Sequence, residues 1–185
     1  MALNATIYKA DLQVSDLDRQ YYATHALTMA QHPSETDERL MVRLLAFALY
    51  ADERLEFGRG LSTDEEPDLW RKSLTGEIEQ WIELGQPTEQ HIRKACGRAR
   101  QVVVISYSGR GADVWWDKIA AGLARSKNLT VIDIPAATVQ ALAGLADRNM
   151  QLQCLIQDGH AQLMSAKASM SVEPMLRMVP AAQGY

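Results

Sequence analysis

Cysteine is scarce in this sequence of 185 residues, which contains only Cys96 and Cys154. Neither belongs to a Cys-x-x-Cys pair or to a His/Cys cluster at zinc spacing, so the sequence predicts neither a disulfide framework nor a zinc module. The longest apolar run, 44–51, has eight residues, whereas a membrane-spanning helix needs roughly 20. The polar start of the chain does not resemble a signal peptide. We therefore expect a cytoplasmic protein with no membrane association.

An excess of positive charge is also absent, because the formal net charge is −4. This balance argues against a protein that coats nucleic acid nonspecifically, but it is compatible with a local basic site around a phosphate group. Hydrophobic residues make up 47% and charged residues 23% of the chain, which excludes disordered and low-complexity classes. No repeat or linker interrupts the sequence, so we expect one domain over residues 1–185.

Hydrophobic periodicity predicts an α/β protein in which strands alternate with helices and some strands pair in parallel. A β-hairpin is expected from the first two strands, 5–14 and 22–31, and another from 151–157 and 160–164. Ser34 is a candidate helix cap before the apolar stripe of the first helix, and Thr88 is a candidate cap for the second helix. The segment after Pro174 is expected to be loosely held. The predicted strands are 5–14, 22–31, 68–72, 77–84, 102–107, 129–134, 151–157 and 160–164, with a turn at 74–76, and the predicted helices are about 35–51, 89–99, 112–124 and 136–146.

Two acidic residues lie at the outer ends of two neighbouring predicted strands. Asp68 begins the first strand and Glu83 ends the second, fifteen residues later. If the strands pair antiparallel through the turn near Gly76, the two carboxylates approach each other at one end of the sheet. Two convergent carboxylates suit a hard divalent cation such as Mg²⁺. The alternative is that both are solvated acids at strand ends.

The helix predicted after Glu83 carries the most concentrated basic run of the chain, and within it Gln90, Lys94 and Arg98 share one stripe. A lysine on this stripe could face the carboxylate end of the sheet and stabilise charge that develops on a phosphate. The alternative is an ordinary solvated helix face. The loop residue Gln86, just past Glu83, could add a carbonyl or amide contact.

At these positions the chain resembles the bacterial YaeQ family, and the resemblance extends along essentially its whole length. The residues that carry it are His32-Pro-Ser-Glu-Thr-x-x-Arg39, Leu44-Leu-Ala46, Ala51-Asp-Glu-Arg54, Glu66-Pro67, Leu69-Trp70, Trp81-Ile-Glu-Leu-Gly85, Lys94-Ala95 and Ile156-Gln-Asp-Gly159.

The YaeQ family resembles a variant of the PD-(D/E)XK nuclease fold, which implies a mixed central β-sheet flanked by helices, here with extra β-hairpins. In that fold an Asp and a Glu on adjacent strands lie near a Lys. The resemblance implies that Asp68 and Glu83 hold Mg²⁺ or Mn²⁺. The lysine of the motif falls on Gly85, so Lys94 is the candidate for a relocated catalytic lysine. The resemblance also points to Glu38 or Glu35, on the first core helix, as a supporting acid, although both can also be read as acids at a helix N-terminus.

Two functions of different classes follow. The first is a nuclease that hydrolyses phosphodiester bonds of nucleic acid with a divalent cation. The second is a catalytically inactive relative that uses the nuclease-like fold to bind nucleic acid or a protein partner, as Gly85 at the lysine position would allow. Fold alone does not decide between them.

Overall fold

The structure is a computed structural model that describes residues 4–59 and 65–180. Its described elements, in chain order, are β1 (Thr6–Asp16), β2 (Tyr21–Gln31), α1 (Asp37–Leu49), β3 (Leu55–Phe57), β4 (Leu69–Lys72), β5 (Ile78–Leu84), α2 (Glu89–Arg98), β6 (Ala99–Ser106), α3 (Arg110–Leu123), β7 (Leu129–Asp133), α4 (Ala136–Ala143), β8 (Asn149–Gln157), β9 (His160–Met164), β10 (Ser169–Val172) and β11 (Met175–Met178).

The described residues form two compact units, each with its own mixed sheet. Unit 1 takes its residues from Met1–Ala51 and Ala137–Pro174, and unit 2 from Asp52–Ala136 and Met175–Tyr185. The mixed α/β class expected from the sequence is confirmed, with the sheet content divided between two sheets. That residues 1–185 behave as a single domain stays a prediction. No helix in the described ranges is long and apolar enough to span a membrane.

The sheet of unit 1 has the strand order β10-β9-β8-β1-β2. Side chains of β1 alternate between a buried and an open face, with Leu12 and Val14 fully buried, as the period of two along a strand requires. The helix α1 is buried along most of its length. The predicted hairpin of the first two strands and the predicted hairpin near the end of the chain are both present.

The beginning of α1 differs from the sequence prediction. The helix starts at Asp37, and its cap is Thr36, whose Oγ1 accepts a hydrogen bond from the Arg39 backbone N–H at 3.2 Å. The expected cap, Ser34, lies in the preceding turn with its hydroxyl 2.7 Å from Nδ1 of His32. The prediction of Ser34 was wrong because the backbone becomes helical two residues later than the Ser-x-x-Asp pattern suggests.

The sheet of unit 2 has the order β11-β7-β6-β5-β4-β3, with parallel pairing of β5, β6 and β7 and antiparallel pairing elsewhere. One hydrophobic cluster joins this sheet to α2 and α3; its buried residues are Trp81, Ile92, Ala95, Ala99, Val102, Val104, Leu123, Leu129 and Val131. The tandem Trp115 and Trp116 both pack against this cluster. Adjacent positions on a helix point in different directions, which suggests one tryptophan in the core and one on a contact surface. The structure differs, because both side chains pack on the core.

The expectation of a loosely held segment after Pro174 was wrong for residues 175–178. These residues form β11, which pairs antiparallel with β7. The guanidinium of Arg177 lies 3.1 Å from the Asp133 carboxylate, which also accepts a hydrogen bond from the Ser106 hydroxyl at 2.6 Å. Two further short strands, β3 and β10, were not predicted, because three or four residues are too few for a period of two to show.

Candidate functional site

The register of β4 and β5 brings the two predicted acids together. Leu69 lies opposite Ile82 and Trp70 opposite Trp81, so the same antiparallel register continued by one residue places Asp68 opposite Glu83. The irregularity in this pair falls between Arg71 and Lys72, at the other end. Oδ2 of Asp68 accepts a hydrogen bond from the Leu84 backbone N–H at 2.8 Å, which ties Asp68 to the end of β5.

Glu83 is held on the helix-covered face of the sheet by two donors. Its Oε1 accepts from Nε1 of Trp81 at 2.9 Å and lies 2.7 Å from Nε2 of His91, on α2. Both bonds use the same oxygen, and Oε2 has no hydrogen-bond partner among the described residues. The side chain of Glu83 is only 12% exposed.

The pKa of Glu83 is raised above its ordinary value, mainly because burial disfavours the charged carboxylate. The negative charge of Asp68 adds to this effect, while the hydrogen bonds from His91 and Trp81 oppose it. The protein therefore holds two acidic groups close together where neither is fully hydrated. A bound cation would relieve both the repulsion between them and the desolvation of Glu83.

The basic helix α2 lies over this end of the sheet. Its N-cap, Thr88, is the residue that the sequence predicts, and it accepts from the His91 N–H. His91, Lys94 and Arg98 follow at i, i+3 and i+7, which is one face of a helix. His91 contacts Glu83, and Arg98 lies 5.0 Å from the centre of the Trp81 ring. Lys94 lies between them, exposed and without an ion pair among the described residues.

His91 is the site residue that sequence reasoning missed. The sequence alone predicts a surface or hydrogen-bonded core histidine there, without a link to the acids. The available signal was its position three residues before Lys94, on the same helical face. That signal is weak, because only the packing of α2 on β5 shows that this face meets Glu83.

Gly85 stands where the lysine of the nuclease motif is expected, and its φ of +96° lies in a region that suits glycine. Its N–H donates to the Ile105 carbonyl at 2.8 Å, which fixes the backbone there. A Cβ at this position would meet nothing closer than the Tyr107 ring at 4.0 Å. There is therefore room for a side chain at position 85. A lysine there is disfavoured by the left-handed backbone conformation instead, at a cost of about 1–2 kcal/mol.

The remaining candidate residues occupy different surroundings. Gln86 is exposed and lies near Gly111, at the start of α3. A Cβ added to Gly111 would lie 3.5 Å from the side-chain nitrogen of Gln86. Glu38 is half-buried on α1. Glu35 precedes α1 and is buried, with its carboxylate bound by the guanidinium groups of Arg43 and Arg39. Glu35 and Glu38 both belong to unit 1, whereas Asp68, Glu83 and Lys94 belong to unit 2.

Comparison with known proteins places the chain in a family. A profile described as "YaeQ protein" matches residues 1–174. The chain belongs to the YaeQ family. A relative from Salmonella typhi, "Uncharacterized protein YaeQ", is 46% identical over 94% of this chain and 96% of its own length. The protein of the same name from Escherichia coli (strain K12) is 45% identical over 93% and 95%.

Solved structures of YaeQ proteins have the same fold. The crystal structure of the YaeQ protein from Xanthomonas axonopodis pv. citri is 55% identical, with a TM-score of 0.93 over 95% of this chain and 99% of that chain. The YaeQ protein from Pseudomonas syringae is 34% identical, with a TM-score of 0.90 over 95% and 97%. The names of these YaeQ proteins state no activity.

Asp68 and Glu83 present carboxylate oxygens, the donor type that a hard divalent cation takes. No three His, Cys, Asp or Glu side chains in residues 4–59 and 65–180 are arranged to enclose a metal. Mg²⁺ is commonly held by only one or two carboxylates together with waters and substrate phosphate. The open Oε2 of Glu83 and the neighbouring Asp68 carboxylate supply that donor set.

Proposed function

We propose that this member of the YaeQ family hydrolyses phosphodiester bonds in nucleic acid with Mg²⁺ or Mn²⁺. Asp68 and Glu83 hold the cation, and Lys94 acts at the reacting phosphate. The observation that carries the proposal is the pairing of Asp68 with Glu83 next to the basic helix α2, whose His91 contacts Glu83. The resemblance to the PD-(D/E)XK nucleases supports the same two acids and permits a lysine displaced from position 85.

Each side chain of the site has a distinct part in this mechanism. A bound cation supplies a water of lowered pKa and compensates phosphate charge. His91 and Trp81 hold Oε1 of Glu83, so Oε2 is the oxygen that would bind the cation. The Leu84 N–H holds Oδ2 of Asp68 at the end of β5. Lys94, one helical turn beyond His91, places its ammonium group to stabilise charge on the phosphate oxygens or to orient the attacking water.

A second candidate function is binding without catalysis. The observation that favours it is the φ of +96° at Gly85, because this backbone is suited to glycine where the nuclease motif carries lysine. In that case the basic face of α2 binds the phosphates of a nucleic acid, or an acidic protein surface, and no bond is cleaved.

Cleavage assays distinguish the two functions. We would incubate fluorescent single- and double-stranded DNA and RNA with the protein in Mg²⁺, in Mn²⁺ and in EDTA. The test variants are Glu83→Gln and Lys94→Ala. The matched controls are Glu77→Gln, an exposed acid just before β5, and Lys118→Ala, an exposed lysine on α3. Metal-dependent cleavage that is lost in both test variants and kept in both controls is the expected result.

Thermal melts give a readout that is independent of activity. A cation that binds only the folded protein adds about 1.4 kcal/mol of stability for each tenfold excess over its Kd. We expect the melting temperature to rise with Mn²⁺ in the wild type and in Lys94→Ala, but not in Glu83→Gln. A rise without cleavage of any substrate would favour the binding function. The absence of a rise at millimolar Mn²⁺ would refute the metal site.

A further inference from the structure

The strand β2 forms an edge of the unit 1 sheet and is unusually long for an edge. It runs for 11 residues, and β1 is the only described strand that pairs with it. The other edge strands are short, since β3 has three residues and β10 and β11 have four each. Natural proteins usually shorten or otherwise block such edges because their unpaired N–H and C=O groups can pair with another strand.

The pairing of β1 identifies which backbone groups of β2 face outward. Leu17 donates its N–H to the Ile156 carbonyl of β8, and Lys9 donates to the Arg148 carbonyl just before β8, so odd-numbered residues of β1 face β8. Even-numbered residues of β1 therefore face β2, where their partners are odd-numbered. The N–H and C=O groups of the even-numbered residues of β2 consequently point away from the sheet.

The outward groups of β2 are mostly unprotected in the described chain. The Ala30 carbonyl accepts from Arg43 at 2.9 Å, which agrees with an outward direction for even-numbered residues. The backbone groups of Tyr22, Thr24, Ala26 and Thr28 have no such partner among the described residues. Their side chains are exposed as well, so no other described element covers this line.

The amino-acid composition of β2 does not block pairing with another strand either. Its sequence, YYATHALTMAQ, contains no Asp, Glu, Lys, Arg, Pro or Gly, and those are the residues that normally block edges. In contrast, β3 contains Glu56, β11 contains Arg177, and β10 is followed by Glu173-Pro174. The absence of such residues leaves this long edge open to pairing with another strand.

The sequence of β2 is complementary to itself under two-fold symmetry. An antiparallel copy centred on Ala26 places Thr24 opposite Thr28 and the large Tyr22 opposite the small Ala30. On the other face, Ala23 lies opposite Met29. In this register every outward-facing residue meets another outward-facing residue, and no two like charges meet.

We propose that β2 pairs antiparallel with β2 of a second copy of this chain, with Ala26 opposite Ala26 on the two-fold axis. The two sheets then continue into one another across the dimer. The occupant is a second copy because in this register the large Tyr22 meets the small Ala30 and Thr24 meets Thr28, and the uncharged strand meets its copy without charge repulsion. This interface uses no residue of the proposed metal site, so either proposal can fail without the other.

Sedimentation velocity over a range of concentrations tests the interface. The full-length wild type is expected to sediment as a dimer, and Ala26→Pro as a monomer. Proline at 26 removes an N–H that faces outward, so the ladder with β1 is preserved and the fold is kept. Leu27→Pro removes an N–H that faces β1 and should destabilise the fold itself, which circular dichroism melts would show.

Charge reversal at the axis provides the second test. Ala26→Lys and Ala26→Glu each place like charges opposite one another and should weaken the dimer, by about two- to fivefold in Kd. Mixing the two variants should restore association. Gln153→Lys, an exposed position within β8, is the control and should dimerise like the wild type.

Disulfide trapping tests the register. In Ala26→Cys the two introduced thiols should form an intermolecular disulfide faster than in Gln153→Cys, because paired Cα atoms across such strands lie about 5.5 Å apart. A wild-type chain that stays monomeric at millimolar concentration would overturn the proposal. A dimer that is unaffected by Ala26→Pro and is not trapped in the Ala26→Cys variant would overturn it equally.

Discussion

Two glutamates show how surroundings give the same side chain different roles. The carboxylate of Glu35 is bound by Arg43 at 2.8 and 2.9 Å and by Arg39 at 3.1 Å. Its charge is therefore compensated within unit 1. Glu83 receives hydrogen bonds from His91 and Trp81 but lies next to another acid, Asp68. The first carboxylate supports the fold, whereas the second has an oxygen, Oε2, with no hydrogen-bond partner among the described residues.

The pH dependence of stability should reveal the cost of the Glu83 charge. Its pKa is raised in the folded protein, so the folded state holds this proton more tightly than the unfolded state. Stability is then lost as the pH rises from the ordinary glutamate pKa through the raised folded value. Glu83→Gln keeps a hydrogen-bond acceptor and removes the charge, so in EDTA we expect it to melt at a higher temperature than wild type at about pH 7.

The same melts at about pH 4 should show little difference between Glu83→Gln and the wild type, because Glu83 is then largely protonated in both states. Glu77→Gln, which changes an exposed acid, is the control for the substitution. A Glu83→Gln variant that is less stable than wild type at neutral pH without metal would contradict the claim that the negative charge of Glu83 destabilises the folded protein.

The buried ion pair of Glu35 and Arg43 gives a prediction on stability alone. Arg43→Met leaves a buried carboxylate without its main partner and should lower the free energy of unfolding by about 3–5 kcal/mol. Removing both charges in Glu35→Leu/Arg43→Met should recover most of that loss. Urea denaturation measures both values. A double variant as unstable as the single one would mean that packing of the arginine stem, and not its charge, determines the effect.

At the scale of elements, local signals and tertiary contacts compete over where a helix begins. The Ser34-x-x-Asp37 pattern favours a start near residue 35, but the Glu35 carboxylate is bound to Arg43 inside unit 1. That contact holds Glu35 in the entry turn, so the backbone first becomes helical at Asp37 and Thr36 is left in the cap position.

Cap variants test this assignment. Thr36→Ala removes the side chain that accepts from the Arg39 N–H and should cost about 1 kcal/mol. Ser34→Ala removes only a surface contact with His32 and should change stability by less than about 0.5 kcal/mol. Chemical denaturation of the two variants measures both. The reverse order of costs would show that Ser34 caps the helix in solution.

At the scale of the whole molecule, the net charge of −4 limits how nucleic acid can be bound. A protein with this net charge does not attract nucleic acid as a whole. Any contacts with phosphate groups must therefore come from local basic groups such as those on α2. We expect the logarithm of the affinity for single-stranded DNA, measured with Glu83→Gln, to fall with the logarithm of salt at a shallow slope of about −1 to −3.

Lys94→Ala in the Glu83→Gln background should make that slope shallower by about 1, because one phosphate contact is lost. Lys118→Ala in the same background is the control and should leave the slope unchanged. Fluorescence anisotropy titrations at several salt concentrations measure the slopes of Glu83→Gln and of the two double variants. A slope that is insensitive to Lys94 would exclude this residue from the phosphate-binding face.

Much of the fold follows from local patterns in the sequence. The alternation along β1, the continuous apolar run of β6 and the Thr88 cap of α2 predict these elements at nearly their observed positions. Asp68 and Glu83 could also be singled out, because the turn near Gly76 links two strands in antiparallel order. These features depend on residues close in sequence, where steric preference and periodicity decide the conformation.

Other features exist only because distant segments meet. The strand β11 is set by its pairing with β7 and by the contact of Arg177 with Asp133, which lies far away in sequence. The division into two sheets depends on the parallel pairing of β1 with β8. The role of His91 depends on the packing of α2 over β5. Such contacts leave no local period in the sequence, so only the tertiary structure decided them.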